Sequence, residues 1–204
     1  MPKFKVPSDR LIKIPEVRIK YTDIFNGKML YQTLWMWLQE NGWVDEEERG
    51  NHYETYYFER TEQNGMKELF IRWRMFKSFD NTPAFNFYLD FDFHWVNISN
   101  TEVIVEGQKL KVNKGIMELY IRPYIEEVYK KNLAGNKLTD LFLNLFTRRI
   151  YRRTVEMKKK ALYRETYELH NFLKQWFKLK RYLPYEEHKN FYPSYAWPSH
   201  IKKE

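Results

Sequence analysis

Apolar and polar residues alternate most regularly between Tyr53 and Arg122. Phe85, Phe87, Leu89, Phe91, Phe93 and Trp95 fall on one side of an extended strand, with Asn86, Tyr88, Asp90, Asp92 and His94 on the other. A strand patterned this way is half buried. Segments 53–61 and 67–76 flank Asn64-Gly65, a dipeptide suited to a tight hairpin turn. In the second of them Leu69, Ile71, Trp73 and Met75 share a face opposite Phe70, Arg72 and Arg74. Pro83 precedes the strand at 85–96, and 101–105 with 109–112 predict a short hairpin about Glu106-Gly107. Asn113-Lys114-Gly115 predicts a turn into a last strand, 116–122, which Pro123 ends. Such short connections make all of these strands, about six, antiparallel. Segment 124–131 is a further strand or a loop.

Helices are predicted on both sides of this region. Thr22-Asp23 or Asn26 can cap a helix over 28–41, with Leu30, Leu34, Leu38 and Trp37 or Trp35 at helical spacing and Gly42 placed to end it. From Lys137 to Leu183 there is neither Gly nor Pro, and Thr139 can cap a second helix there. A helix of about forty residues would be roughly 60 Å long, with Arg152 a place for a bend or split. Val155, Leu162, Leu169 and Trp176 recur every seven residues in it, an apolar seam flanked by Tyr151, Phe172, Leu173 and Leu179. The ends of the chain differ from both. Pro2, Pro7 and Pro15 make residues 1–20 an extended arm or edge strand. Pro184, Pro193 and Pro198 exclude regular structure from a tail that carries Tyr185, Phe191, Tyr192, Tyr195 and Trp197.

The expected fold is therefore α+β, a single antiparallel meander sheet packed against an N-terminal helix and a long C-terminal helix. Its parts are an arm at 1–20, a sheet domain at 21–136, a basic amphipathic helix at 137–183 and an aromatic, proline-bearing tail at 184–204. The 204 residues suffice for one sizeable core with an appended helix, and aromatics at 19% supply large buried areas.

Charge divides the chain. The formal net charge is +8, with six Lys/Arg against two acids in 1–20, thirteen against four in 137–181, and thirteen against eighteen in 21–136. Two surfaces of opposite sign follow. The absence of cysteine excludes disulfides, a thiolate nucleophile and cysteine metal clusters. The N-terminus lacks the apolar run of a signal peptide and no segment has the length of a membrane span, so a cytoplasmic protein, or one inside a virus-like or other large assembly, is expected.

Three constellations bear on function. Asp90, Asp92 and His94 stand at alternate positions of one strand face, and such residues, about 6.5–7 Å apart, can converge in pairs on an ion. The competing reading is a polar strand face whose aspartates pair with Arg72 and Arg74 across the hairpin. Arg148, Arg149, Arg152, Arg153, Lys158, Lys159, Lys160 and Arg164 form a cationic stripe on the long helix, suited to phosphate backbones or to an acidic protein surface, with Lys158 on the apolar side. The seam at Val155, Leu162, Leu169 and Trp176 and the tail residues Phe191, Tyr192, Tyr195 and Trp197 are candidate protein contacts. Glycine-rich phosphate loops, serine nucleophile elbows and HExxH are missing, and the remaining histidines are scattered.

The segment from Phe87 to His94, the hairpin from Val105 to Gly115 and the basic helix from Arg148 to His170 together resemble a group of small archaeal proteins with no assigned activity. The resemblance implies an archaeal cell or an element that infects one. The residues themselves point first to a non-enzymatic structural or assembly protein without cofactor, joining copies of itself or other subunits. A nucleic-acid-binding factor using the basic helix is the alternative, and a metal-dependent enzyme at Asp90, Asp92 and His94 the third.

Overall fold

The computed structural model describes residues 6–45, 53–78, 84–105, 107–133, 151–179 and 193–199. Eight strands and three helices occupy them: β1 (Leu11–Lys13), β2 (Val17–Phe25), α1 (Gly27–Glu40), β3 (Val44–Asp45), β4 (Glu54–Thr61), β5 (Lys67–Ser78), β6 (Phe85–Val105), β7 (Gln108–Glu127), α2 (Val128–Leu133), α3 (Arg152–Trp176) and β8 (Ala196–Trp197). The strands form one sheet in the order β3-β5-β6-β7-β2-β8, with β4 beside β3 on the edge of β5 and β1 beside β2 on the edge of β7. Every pairing is antiparallel. The fold class is α+β, as the alternation predicts.

Register explains why the alternation is so regular. Ile71 lies opposite Phe93, Phe93 opposite Leu119, and Leu119 opposite Ile19; one step along, Trp73, Phe91, Ile121 and Val17 form a parallel row. Rows of inward side chains four strands wide make one apolar surface, and a slip of one residue in any strand would turn its whole set to solvent. Phe87, Leu89, Phe91 and Trp73 have no exposed surface.

Against this inner face lie residues of α1 and α3. Asn26 caps α1 as expected, its Oδ1 accepting from the Met29 amide at 3.1 Å, and Gly42 follows the helix with φ at 74°. Leu30, Leu34, Trp37 and Leu38 are buried, and Tyr31 stands edge-on to Trp73 at 4.9 Å. Val155, Leu162, Leu169 and Trp176 of α3 are at most 8% exposed and join the same core. Glu165 fastens α3, accepting from Lys77 Nζ at 2.7 Å and from Trp43 Nε1 at 2.8 Å.

Three expectations are corrected. Asn113-Lys114-Gly115 is no turn: β6 and β7 run 21 and 20 residues and stay paired past it. The interruption instead sits in β6, where the ladder shifts between Val96 and Ser99 and Asn97 takes φ of 54°. Gly115 is needed for close approach, since a Cβ there would stand 2.8 Å from the Asn97 carbonyl oxygen and 2.9 Å from that of Val96. Pro123 does not end β7, because it falls where the flanking partner changes from β2, paired up to Ile121, to β1, paired from Tyr124.

Val44 and Asp45 add a short edge strand, pairing with Phe76 and Met75. The tail is not wholly irregular, since Ala196 and Trp197 pair with Phe25 and Ile24. Of the long helix, the structure describes Arg152–Trp176; 137–150, 180–183 and 184–192 lie outside the described residues.

Candidate interaction surfaces

The face of the sheet opposite α1 and α3 is built by the second half of the alternation. Asp90, Asp92 and His94 stand on it, opposite Arg74, Arg72 and Phe70 of β5 and opposite Arg122, Tyr120 and Glu118 of β7. Arg74 grips Asp90 in a fork, Nε to Oδ1 at 2.9 Å and Nη2 to Oδ2 at 3.0 Å. The Arg72 Nε donates to Asp92 Oδ1 at 2.6 Å, while Arg122 reaches the other Asp92 oxygen and gives its Nε to Glu16 Oε2 at 3.1 Å. His94 Nε2 meets Glu68 Oε1 at 2.9 Å and lies flat on Phe70, ring centres 4.3 Å apart. Each of the three sequence candidates is thus turned toward a cross-strand partner. Among the described residues no three His, Asp or Glu side chains converge as a metal ion requires.

The network continues to β2. Glu118 accepts from Arg18 Nη2 at 2.8 Å, Lys20 Nζ at 3.1 Å and Tyr120 Oη at 3.0 Å. Those bonds, the Lys20 one first, hold its carboxyl below the usual carboxylate range, and the bond to Glu118 raises the Tyr120 phenol. Glu68 is lowered in the same way by its bond with His94 and by Arg60, whose Nη2 lies 2.8 Å away. Partial burial works against the charge of Arg122, but Asp92 and Glu16 outweigh it and raise its pKa.

Rings lie between these charges. Tyr88 and Tyr124 stack at 4.9 Å, and the Arg18 guanidinium lies over Tyr120, 5.1 Å from its centre. Toward β4 the rings emerge into solvent: Phe58, 45% exposed, packs beside Phe70, and Tyr56 beyond it is 52% exposed. Between β1 and this face runs a cleft of about 520 Å³ lined by Leu11, Ile14, Arg74, Asp90, Arg122 and Tyr124.

No protein-family model and no curated protein matches this chain.

The second surface is the outward side of α3. Arg152, Arg153, Lys160 and Arg164 are exposed, Lys158 and Lys159 half-buried. Lys159 pairs with Glu156 at 3.0 Å and Arg164 with Glu168 at 3.0 Å; Arg152, Arg153 and Lys160 make no salt bridge among the described residues. Arg148 and Arg149 lie outside the described residues. The apolar seam of the same helix is spent inside the chain, so Val155, Leu162, Leu169 and Trp176 have no surface to offer a partner. Trp197 is held in the β2 pairing, Tyr195 is half-buried against the core, and Phe191 and Tyr192 lie outside the described residues.

Sequence reasoning missed Tyr56, Phe58, Phe70 and Tyr120 as a surface set. The available signal was Tyr56-Tyr57-Phe58: three consecutive rings break the period of two, and only an edge strand with both faces accessible accommodates them. Among the described residues no helix is long and apolar enough to cross a membrane.

Proposed function

We propose that this is a non-enzymatic assembly protein, and that its first partner is a copy of itself, met through the exposed surface of the sheet. In this reading α1 and α3 close the inner face, and the outer face is left for the partner. One observation carries it: the outer face alternates tyrosine, phenylalanine and arginine, and its cations already have carboxylate partners within the face. Aromatic and arginine enrichment with few uncompensated charges is the composition of a protein interface. A phosphate backbone draws instead on cations that must shed only small counterions.

Light scattering after nuclease treatment tests the reading. A mass above that of the monomer that persists in about 1 M salt, where charge attraction is screened within roughly 3 Å, supports it. A monomer at every protein concentration refutes it.

The second reading, nucleic-acid backbone binding, is favoured by Arg152, Arg153 and Lys160 standing exposed and without salt bridges among the described residues. It predicts salt-sensitive co-purification with nucleic acid, lost when Arg148, Arg149, Arg152 and Arg153 are changed to Glu.

A further inference from the structure

We infer that β4 is the docking edge, and that the strand added to it is β4 of a second copy, antiparallel about a twofold axis at Phe58. This rests on the assembly reading and moves its contact to the border of the outer face, where Tyr56 and Phe58 carry that face's rings to the sheet edge.

The edge is open. β4 pairs only with β5, and among the described residues no strand lies on its other side. All eight of its residues are exposed, Tyr56, Tyr57 and Phe58 at 52%, 50% and 45%. Among the described strands, residues 17–23 of β2 and 99–105 of β6 are also unpaired on one side, but β4 is the strand exposed at every residue, and β3, β8 and β1 are only two, two and three residues long. The usual guards of an open edge are thin on β4. It contains no proline and no lysine, and its one irregularity lies at the start, between Glu54 and Tyr56.

The hairpin fixes which backbone groups point outward. At its mouth the Glu62 amide donates to the Met66 carbonyl at 2.8 Å, and Gly65, with φ at 79°, supplies the left-handed residue that closes the turn. Antiparallel pairs alternate along the ladder, so Arg60, Phe58 and Tyr56 exchange bonds with Glu68, Phe70 and Arg72. Tyr57, Glu59 and Thr61 then turn their N–H and C=O away from β5, onto the free edge.

Charge selects the occupant and the register. Centred on Phe58, an antiparallel copy sets Phe58 against Phe58, Tyr56 against Arg60 and Tyr57 against Glu59; the ring pair, the cation over a ring and the phenol beside a carboxylate are all favourable. A register centred on Glu59 or Arg60 opposes like charges. One centred on Tyr57 has only Tyr56 to Phe58 on the regular side of the irregularity at Thr55, whereas one centred on Phe58 has Tyr56 to Arg60. The strand is therefore complementary to itself in one orientation, the condition for a closed twofold contact.

A charge swap tests this in the full chain. Phe58→Lys and Phe58→Glu each place two like charges at the axis, on an exposed side chain whose loss leaves the core untouched. Each variant alone is expected to have the monomer mass, and an equimolar mixture to recover the dimer. Glu59→Pro supplies a second probe, because it removes an N–H that points away from β5 and leaves the β4–β5 backbone ladder intact, giving up the surface pair of Glu59 with Lys67; it too is expected to be monomeric, with the near-UV dichroism of the wild type. Should the wild type self-associate while these variants keep its mass, the edge assignment is overturned and the assembly reading stands. A wild type that is monomeric throughout overturns both.

Discussion

Among the described residues, one buried imidazole couples this fold to acidification above the carboxylate range. His170 lies on α3 with 9% of its surface exposed, edge-on to the Tyr167 ring at 5.7 Å, and its Nδ1 has no hydrogen-bond partner among the described residues. Burial, helped by the positive charge of Lys174 one turn further on, pushes its pKa down to about 4; a backbone hydrogen bond at Arg18 opposes the shift without cancelling it. The unfolded chain binds a proton at this position near pH 6.5 and the folded chain does not. His170 therefore contributes its full stability above pH 6.5, and the contribution falls as pH drops toward 4. Linkage puts the loss at about 2 kcal/mol by pH 5 and about 3 kcal/mol below pH 4. The upper part of that window is the useful one, since Glu68 and Glu118, held ionised by their partners, keep their own contributions above the ordinary carboxylate range and lose them as pH falls through it. Urea unfolding monitored by tryptophan fluorescence, for wild type and His170→Leu at about pH 7.5 and pH 5, isolates the effect. The wild type should lose about 2 kcal/mol more than the variant between the two pH values. Equal losses would show that the imidazole is solvated or paired, contrary to its burial beside Tyr167.

Other perturbations address separate parts of the fold. Gly115→Val forces a Cβ within 2.6 Å of Ile98 and against two carbonyl oxygens that the ladder holds in place, so thermal unfolding should show a loss of about 2–4 kcal/mol. Arg74→Ala leaves Asp90, whose side chain is 18% exposed, without its fork and should cost about 3 kcal/mol in urea unfolding; Arg74→Ala with Asp90→Ala together should cost less than the sum of the two. Arg152→Glu with Arg153→Glu should leave stability within about 0.5 kcal/mol of wild type, as both side chains are exposed on α3, so any change in nucleic-acid content can be assigned to charge.

Much of the sheet was legible because its period of two encodes both faces at once. Phe85 to Trp95 gave the buried face, and the same spacing placed Asp90 and Asp92 across from Arg74 and Arg72, where the structure pairs them. Asn26 and Gly42 were readable because caps are local chemistry. What failed were residues whose meaning depends on a distant strand. Asn113-Lys114-Gly115 has the composition of a turn, yet its glycine serves the kink at Asn97 on the neighbouring strand. Pro123 reads as a strand end until β1 and β2 are seen to meet beside it. Ala196 and Trp197 carry no strand signal of their own, and β2 supplies the partner. The candidate surface was half readable. Its charges were visible as a polar strand face, but the rings of β4 have no period to say which side they take.

Amide exchange resolved by residue, at low and high protein concentration, puts self-association through the sheet to its sharpest test. Docking along β4 predicts that the amides of Tyr57, Glu59 and Thr61 gain protection as concentration rises, while those of Phe58 and Arg60, already bonded to β5, change little. Outward β4 amides that exchange at the same rate at both concentrations would contradict it.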